Sequence, residues 1–165
     1  MLPIVLTETA VNVGLAGAGA ALERRRMSLA EAGIEPVAVA GDASLEGLKL
    51  LYIAGLPRMA AEALAAKARA AGILVNVEDV PVLCDFHAPA VVRRGDLLVT
   101  VSTGGRAPGL AKLVREWISR KLGAEWSGHL DAVSRRRATW RADGHAPEEV
   151  SRRTREFVSQ RNWLA

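Results

Sequence analysis

Gly17 and Gly19 stand one residue apart, where an apolar stretch from Val11 to Ala16 gives way to a helical pattern that begins at Ala20. In a dinucleotide-binding turn the first glycine makes the tight bend. The second lets a pyrophosphate reach backbone N–H groups at the helix N-terminus. Leu22 replaces the third small residue of that fingerprint, and a glycine pair of this kind also serves as a plain strand–helix turn. A dinucleotide site further wants a carboxylate for the ribose hydroxyls at the end of the second strand. Asp42, directly after Gly41, is better placed for that than Glu35, which precedes the strand, although Gly–Asp is a common turn pair as well.

Three more clusters follow. Asn76, Val77, Glu78 and Asp79 close a predicted parallel strand, the end of an open α/β sheet at which ligands sit. A carboxylate there can act as a base or hold a cation; it can equally cap the turn before Pro81. Ser102, Thr103, Gly104, Gly105 and Arg106 precede a helix opened by Pro108. Their hydroxyls, backbone N–H groups and guanidinium make an anion seat or a helix cap. The spacing lacks the Lys-Ser/Thr pair of a phosphate-binding P-loop. Cys84 and His87 are two ligand types three residues apart with no second pair to complete a zinc site, since His129 and His145 supply none, so a structural role is expected.

Several elements must position these residues. The pattern predicts a strand at 11–16, a helix at 20–32 stopped by Gly33, and a strand at 36–40. A strand at 48–54, a helix at 59–71 opened by Pro57 and stopped by Gly72, and a strand at 73–77 follow. Strands alternating with helices of this length indicate βαβ units and a mostly parallel sheet. Residues 90–93 and 97–102 flank Gly95 and read as a hairpin. A helix of about four turns from Pro108 comes next. Two helices then run to about Arg141 and Gln160, separated by Gly144 and Pro147. Their apolar residues, among them Leu130, Val133, Trp140, Val150, Phe157 and Trp163, are too sparse for a separate core, so this segment is expected to pack on the first domain or on a second subunit.

Composition narrows the function classes. The chain has 165 residues, half of them hydrophobic and 24% charged, the balance of a folded globular protein. No apolar run approaches the roughly 20 residues of a membrane span, and no basic leader opens the chain, so neither a membrane protein nor a secretory signal is expected. One cysteine excludes an internal disulfide framework and fits a reducing cytoplasm. The net charge of +4 is uneven: residues 1–111 carry net −1 and residues 112–165 carry net +5. A basic segment of this kind meets a polyanion or forms a solvated helical face. Aromatics are only 4% and no nucleic-acid motif is present, so nucleic acid is not an expected partner.

Taken together, residues 76–79, 83–95 and 101–112 strongly resemble the N-terminal module of siroheme synthase, the precorrin-2 dehydrogenase/sirohydrochlorin ferrochelatase family. Leu2 and Pro3, Gly17 to Gly19 with Glu23, Arg24 and Arg25, and Glu31 to Gly33 fall in the family's order. The resemblance implies a Rossmann-like α/β domain over 1–80, here shortened between the second strand and Ile73 by roughly twenty residues, about one βα connection. It further implies a strand and helix dimerisation region over 81–123 and a small helical region over 124–165. It implies a cytoplasmic homodimer that oxidises the tetrapyrrole precorrin-2 to sirohydrochlorin with NAD, ferrous iron being a further substrate where siroheme is made. The family's catalytic aspartate maps onto Asp79. The NAD contacts map onto the Gly17–Gly19 turn with Ala20 and Ala21, and onto Gly41 and Asp42. The loop from Ser102 to Arg106 lies with the tetrapyrrole, whose carboxylate rim Arg93, Arg94 and the C-terminal arginines could also hold. His87 beside Asp79 is the one candidate for an added metal ligand. The alternative of another class is a non-catalytic or chelatase-only tetrapyrrole-binding relative.

Overall fold

The computed structural model describes residues 2–7, 9–41 and 43–164, and they form two compact units, 1–88 and 89–165. The first unit is a four-stranded, wholly parallel sheet. Its strands are β1 (Val13–Gly17), β2 (Val37–Val39), β3 (Leu50–Ala54) and β4 (Leu74–Val77), in the order β2-β1-β3-β4. Helix α1 (Gly19–Ala30) follows β1 and α2 (Arg58–Ala70) follows β3. Pro57 is the N-cap of α2, as the sequence predicts.

Both faces of this sheet are buried, which is why its strands read as apolar runs without alternation. Val13, Leu15 and Leu50 point to one side, where Leu22 and Leu29 of α1 pack on them. Ala16, Leu51, Ile53, Val75 and Val77 point to the other, against Ala61, Ala65 and Ala68 of α2. The three alanines recur at i, i+4 and i+7, so α2 presents a smooth face that can lie close to the sheet. Leu22, which departs from the dinucleotide fingerprint, turns toward this core and serves the helix–sheet contact that the missing small residue would otherwise make.

Among the described residues no helix joins β2 to β3, although they are parallel strands on either side of β1. Such a crossover usually needs a dozen or more residues and a helix. Here the segment 40–49 suffices because Leu45 and Leu48 are buried beside Val39 and Leu51, covering the sheet face that a helix would cover.

At their carboxyl ends β1 and β3 nearly touch. Gly17 has φ 147°, and a Cβ on it would lie 1.7 Å from the Ala54 carbonyl oxygen. Gly55 has φ 73°, and a Cβ there would lie 2.2 Å from the Ala18 carbonyl oxygen. The Ala18 N–H in turn donates to Ala54 O at 3.1 Å.

The second unit begins with the expected hairpin, β5 (Ala90–Arg94) and β6 (Leu97–Val101), antiparallel across a two-residue turn. Gly95 supplies the positive φ (57°) that a type II′ turn requires at its first central position. Helices α3 (Pro108–Lys121), α4 (Trp126–Ala142) and α5 (Pro147–Ser159) complete it. The hairpin and all three helices lie in this one unit, α3 packing on both strands and α4 on β6 and α5. Val150, 1% exposed, is the buried anchor of α5.

Arg94 is not free to hold a substrate carboxylate. Its guanidinium donates to the carbonyls of Leu122 (2.7 Å), Gly123 (3.1 Å) and Ser119 (2.9 Å) and to Ser119 Oγ (2.9 Å), capping the carboxyl end of α3. Those carbonyls have no partner within the helix, and a cation there also meets the negative end of its dipole.

Two outcomes test this account. Gly17→Ala drives a methyl group into backbone, so it should cost about 3 kcal/mol or more in urea unfolding or abolish folding, the range of severe single substitutions. In α5, hydrogen bonds from Arg152 and then Arg153 lower the Glu149 carboxyl from its ordinary 4.5 to about 2. A depressed carboxylate contributes stability above its unfolded pKa and loses it as pH falls toward the folded one. The thermal midpoint should therefore fall as pH drops from about 4.5 to 2, and less steeply in Glu149→Gln.

Candidate functional site

In the first unit, the carboxyl end of the sheet opens on a cleft of about 280 Å³ lined by Ala21, Gly55, Leu56, Arg58, Glu78 and Asp79, among others. Four of the residues singled out in the sequence, Ala21, Val77, Glu78 and Asp79, thus share one cavity. Asp79 directly follows the strand end and holds a left-handed backbone, φ 61°, the first of only two non-glycine positions with positive φ among the described residues. Aspartate tolerates that region better than most residues, and strained backbone of this kind clusters at functional sites. The carboxylate is exposed.

Its neighbour Glu78 is committed elsewhere. The Arg24 guanidinium of α1 donates to Glu78 Oε1 at 3.0 Å, and Arg58 on the rim is paired with Glu62 at 2.8 Å. Asp79 has no ion-pair partner among the described residues, so it is the free carboxylate of the cleft. Gly55, Leu56 and Arg58 were not among the site residues expected from the sequence; Gly55-Leu56-Pro57 forms the second strand–helix turn, which meets the first.

The turn from Gly17 to Gly19 divides its two glycines by role. Gly17 is required by its approach to Ala54, whereas a Cβ on Gly19 (φ 65°) would meet nothing within 4 Å. The N-cap, Ala18, makes no side-chain hydrogen bond and no acidic residue occupies the first turn of α1. Free N–H groups beside open space, uncontested by a carboxylate, fit the phosphates of a dinucleotide. Gly41 lies in a turn with φ 55°, and Asp42 lies outside the described residues.

The segment around Cys84 is structural. Asp85 exchanges backbone and side-chain bonds with Val75: Asp85 N–H donates to Val75 O (2.8 Å) and Val75 N–H to Asp85 Oδ2 (2.9 Å). Arg69 grips both Asp85 oxygens (2.9 and 3.1 Å) and Leu83 O (2.8 Å). Buried Asn76 donates to Phe86 O at 2.8 Å, and the Cys84 thiol lies against Val77 N–H (3.3 Å) and O (3.2 Å). This strap ties residues 83–86 to β4, which is why residues 81–88, grouped with the hairpin on sequence grounds, belong to the first unit. His87 is exposed beyond the strap. No group of three or more His, Cys, Asp or Glu residues among those described could hold a metal.

In the second unit the Ser102–Arg106 loop folds on itself. Gly104 N–H donates to Ser102 Oγ and Ala107 N–H to Thr103 Oγ1, each at 3.2 Å, while Gly104 and Gly105 take positive φ. The hydroxyls therefore serve as acceptors for the turn, which leaves their O–H groups to donate outward beside exposed Arg106.

Comparison with known proteins agrees with this picture. Residues 38–90 match a family described as "Putative NAD(P)-binding". A siroheme synthase of Ectopseudomonas mendocina is 39% identical over 107 residues, 64% of this chain and 23% of that protein. One from Methylobacillus flagellatus is 41% identical over 108 residues (65% and 23%), and one from Methylococcus capsulatus 49% over 70 residues (42% and 15%). Over these stretches the chain is similar to siroheme synthases. It spans less than a quarter of the length of these relatives. The fold of the whole chain is that of a solved structure titled "SirC, precorrin-2 dehydrogenase", with TM-score 0.78 over 100% of this chain and 93% of that one, at 16% identity. No described helix is long and apolar enough to cross a membrane.

The strap makes a separate expectation. Asp85→Ala removes the partner of a guanidinium and of a part-buried N–H, and should lower stability by about 2–4 kcal/mol in denaturant unfolding. His87→Ala should leave stability within about 0.5 kcal/mol.

Proposed function

We propose that the protein oxidises precorrin-2 to sirohydrochlorin with NAD. The observation that carries this reading is Asp79, an unpaired carboxylate at the end of β4 in a cleft that it shares with the start of α1. The siroheme synthase relatives and the shared fold with a precorrin-2 dehydrogenase support it. Bound NAD supplies the hydride acceptor. The chain's own work is to seat it and the macrocycle and to take the proton. The N–H groups of the first turn of α1, at Gly19, Ala20 and Ala21, hold the phosphates, and the Gly41 turn with Asp42 serves the ribose. Asp79 accepts the proton that leaves the substrate as its hydride departs, so one precorrin-2 and one NAD give sirohydrochlorin, NADH and H⁺. Arg24 supports this by neutralising Glu78, which keeps the adjacent carboxylate from competing as a base.

The outward hydroxyls of Ser102 and Thr103, the Gly104–Gly105 backbone and Arg106 bind carboxylates of the tetrapyrrole. A second copy of the chain is the expected partner. Leu110, Leu113 and Trp117, at i, i+3 and i+7 of α3, form an exposed apolar stripe suited to such pairing.

Purified protein given precorrin-2 and NAD should raise NADH absorbance, and Asp79→Asn should slow this by a factor of about 10²–10⁴, the usual worth of a general base. No turnover with tetrapyrrole binding retained would replace this reading by a binding module. Siroheme formed from sirohydrochlorin and ferrous iron without nucleotide would assign a chelatase instead.

A further inference from the structure

Between α4 and α5 the second unit has a notch of about 460 Å³, lined by Ala132, Arg135, Arg136, Thr139, Phe157 and Arg161. Ala132, Arg135, Arg136 and Thr139 recur at helical spacing and so belong to one face of α4. Phe157 of α5 orders the guanidiniums. That of Arg161 lies 3.6 Å from the ring centroid and donates to Phe157 O at 3.1 Å, and that of Arg136 lies 5.9 Å from the centroid. Stacking of this kind holds a guanidinium plane while leaving its edge donors to a ligand.

The charge here is uncompensated. On the same helix pair, Arg152 is bonded to Glu149 and Glu156 and Arg153 to Glu149, so those carboxylates are already taken. Arg135, Arg136 and Arg161 have no carboxylate partner among the described residues. The Thr139 hydroxyl donates to Arg135 O at 3.2 Å, so guanidinium N–H groups are the notch's donors. Three like charges in one cavity repel one another, and a ligand with adjacent negative groups reverses the sign of that interaction.

We propose that this notch binds a small ligand carrying two or more adjacent anionic groups, carboxylates or phosphates. It uses none of the residues given a role in the dehydrogenation proposed above and stands whether or not that reading does. Calorimetric titration of the full chain at low salt with pyrophosphate, and separately with citrate, tests it. Saturable one-to-one binding of at least one probe is expected, and the tighter of the two names the anionic group. Arg135→Gln/Arg136→Gln should weaken binding at least ~10-fold, each charge-assisted bond being worth that order. Arg120→Gln, exposed on α3 outside the notch, should not weaken it. Should the double variant lose thermal stability, Arg135→Glu, a single exposed change, must weaken binding by at least the same factor. Saturation by neither probe, wild-type affinity in the notch variants, or an equal loss in Arg120→Gln would overturn the proposal.

Discussion

The backbones of two strand–helix turns lie against each other at the carboxyl end of the sheet. Gly17 faces the Ala54 carbonyl and Gly55 faces that of Ala18, each closer than any side chain would allow. This contact sets how α1 and α2 leave neighbouring strands, and with them the walls of the cleft. Ala21 and Arg58 stand on opposite sides of it because their helices start from these two turns. A larger residue at either glycine would push the turns apart and displace both helices, because a packed interior offers little room to relax.

The rest of the first unit keeps β4 in line with that floor. Asp85, Arg69, Asn76 and Cys84 fasten the strap to β4 with bonds that leave few polar groups unpaired. Buried polar groups satisfied in this way give rigidity rather than large net stability. The consequence is positional. Asp79, two residues beyond the end of the fastened strand β4, is held in a left-handed conformation with Glu78 drawn to Arg24. Of two adjacent carboxylates, one is neutralised and one is free.

Basic residues divide between scaffold and surface. Arg94 caps α3, Arg69 holds the strap, and Arg152 and Arg153 brace α5 through Glu149. Each has its own acceptors, so the excess of arginine in the last third overstates the charge open to a ligand. Of the basic residues without a carboxylate partner among those described, Arg135, Arg136 and Arg161 share one cavity.

The sequence by itself determined the order and kind of the elements, because strand and helix periods and their glycine and proline stops are local. Val13–Gly17, Arg58–Ala70, the Gly95 hairpin and the helix opened by Pro108 all lie within a few residues of their expected places. It also marked Asp79 and the two glycine-bearing loops as sites for chemistry. Only the tertiary structure decided what each residue does there. Leu22 fills a core and Gly17 answers to Ala54, while Arg94 answers to a helix end and Cys84 and Asp85 to β4. Leu45 and Leu48 replace a helix in a short crossover. These roles depend on partners that are from a few to nearly 40 positions away in the chain but within about 10 Å in space. A one-dimensional pattern states what a side chain is able to bond, and the fold selects which partner reaches it.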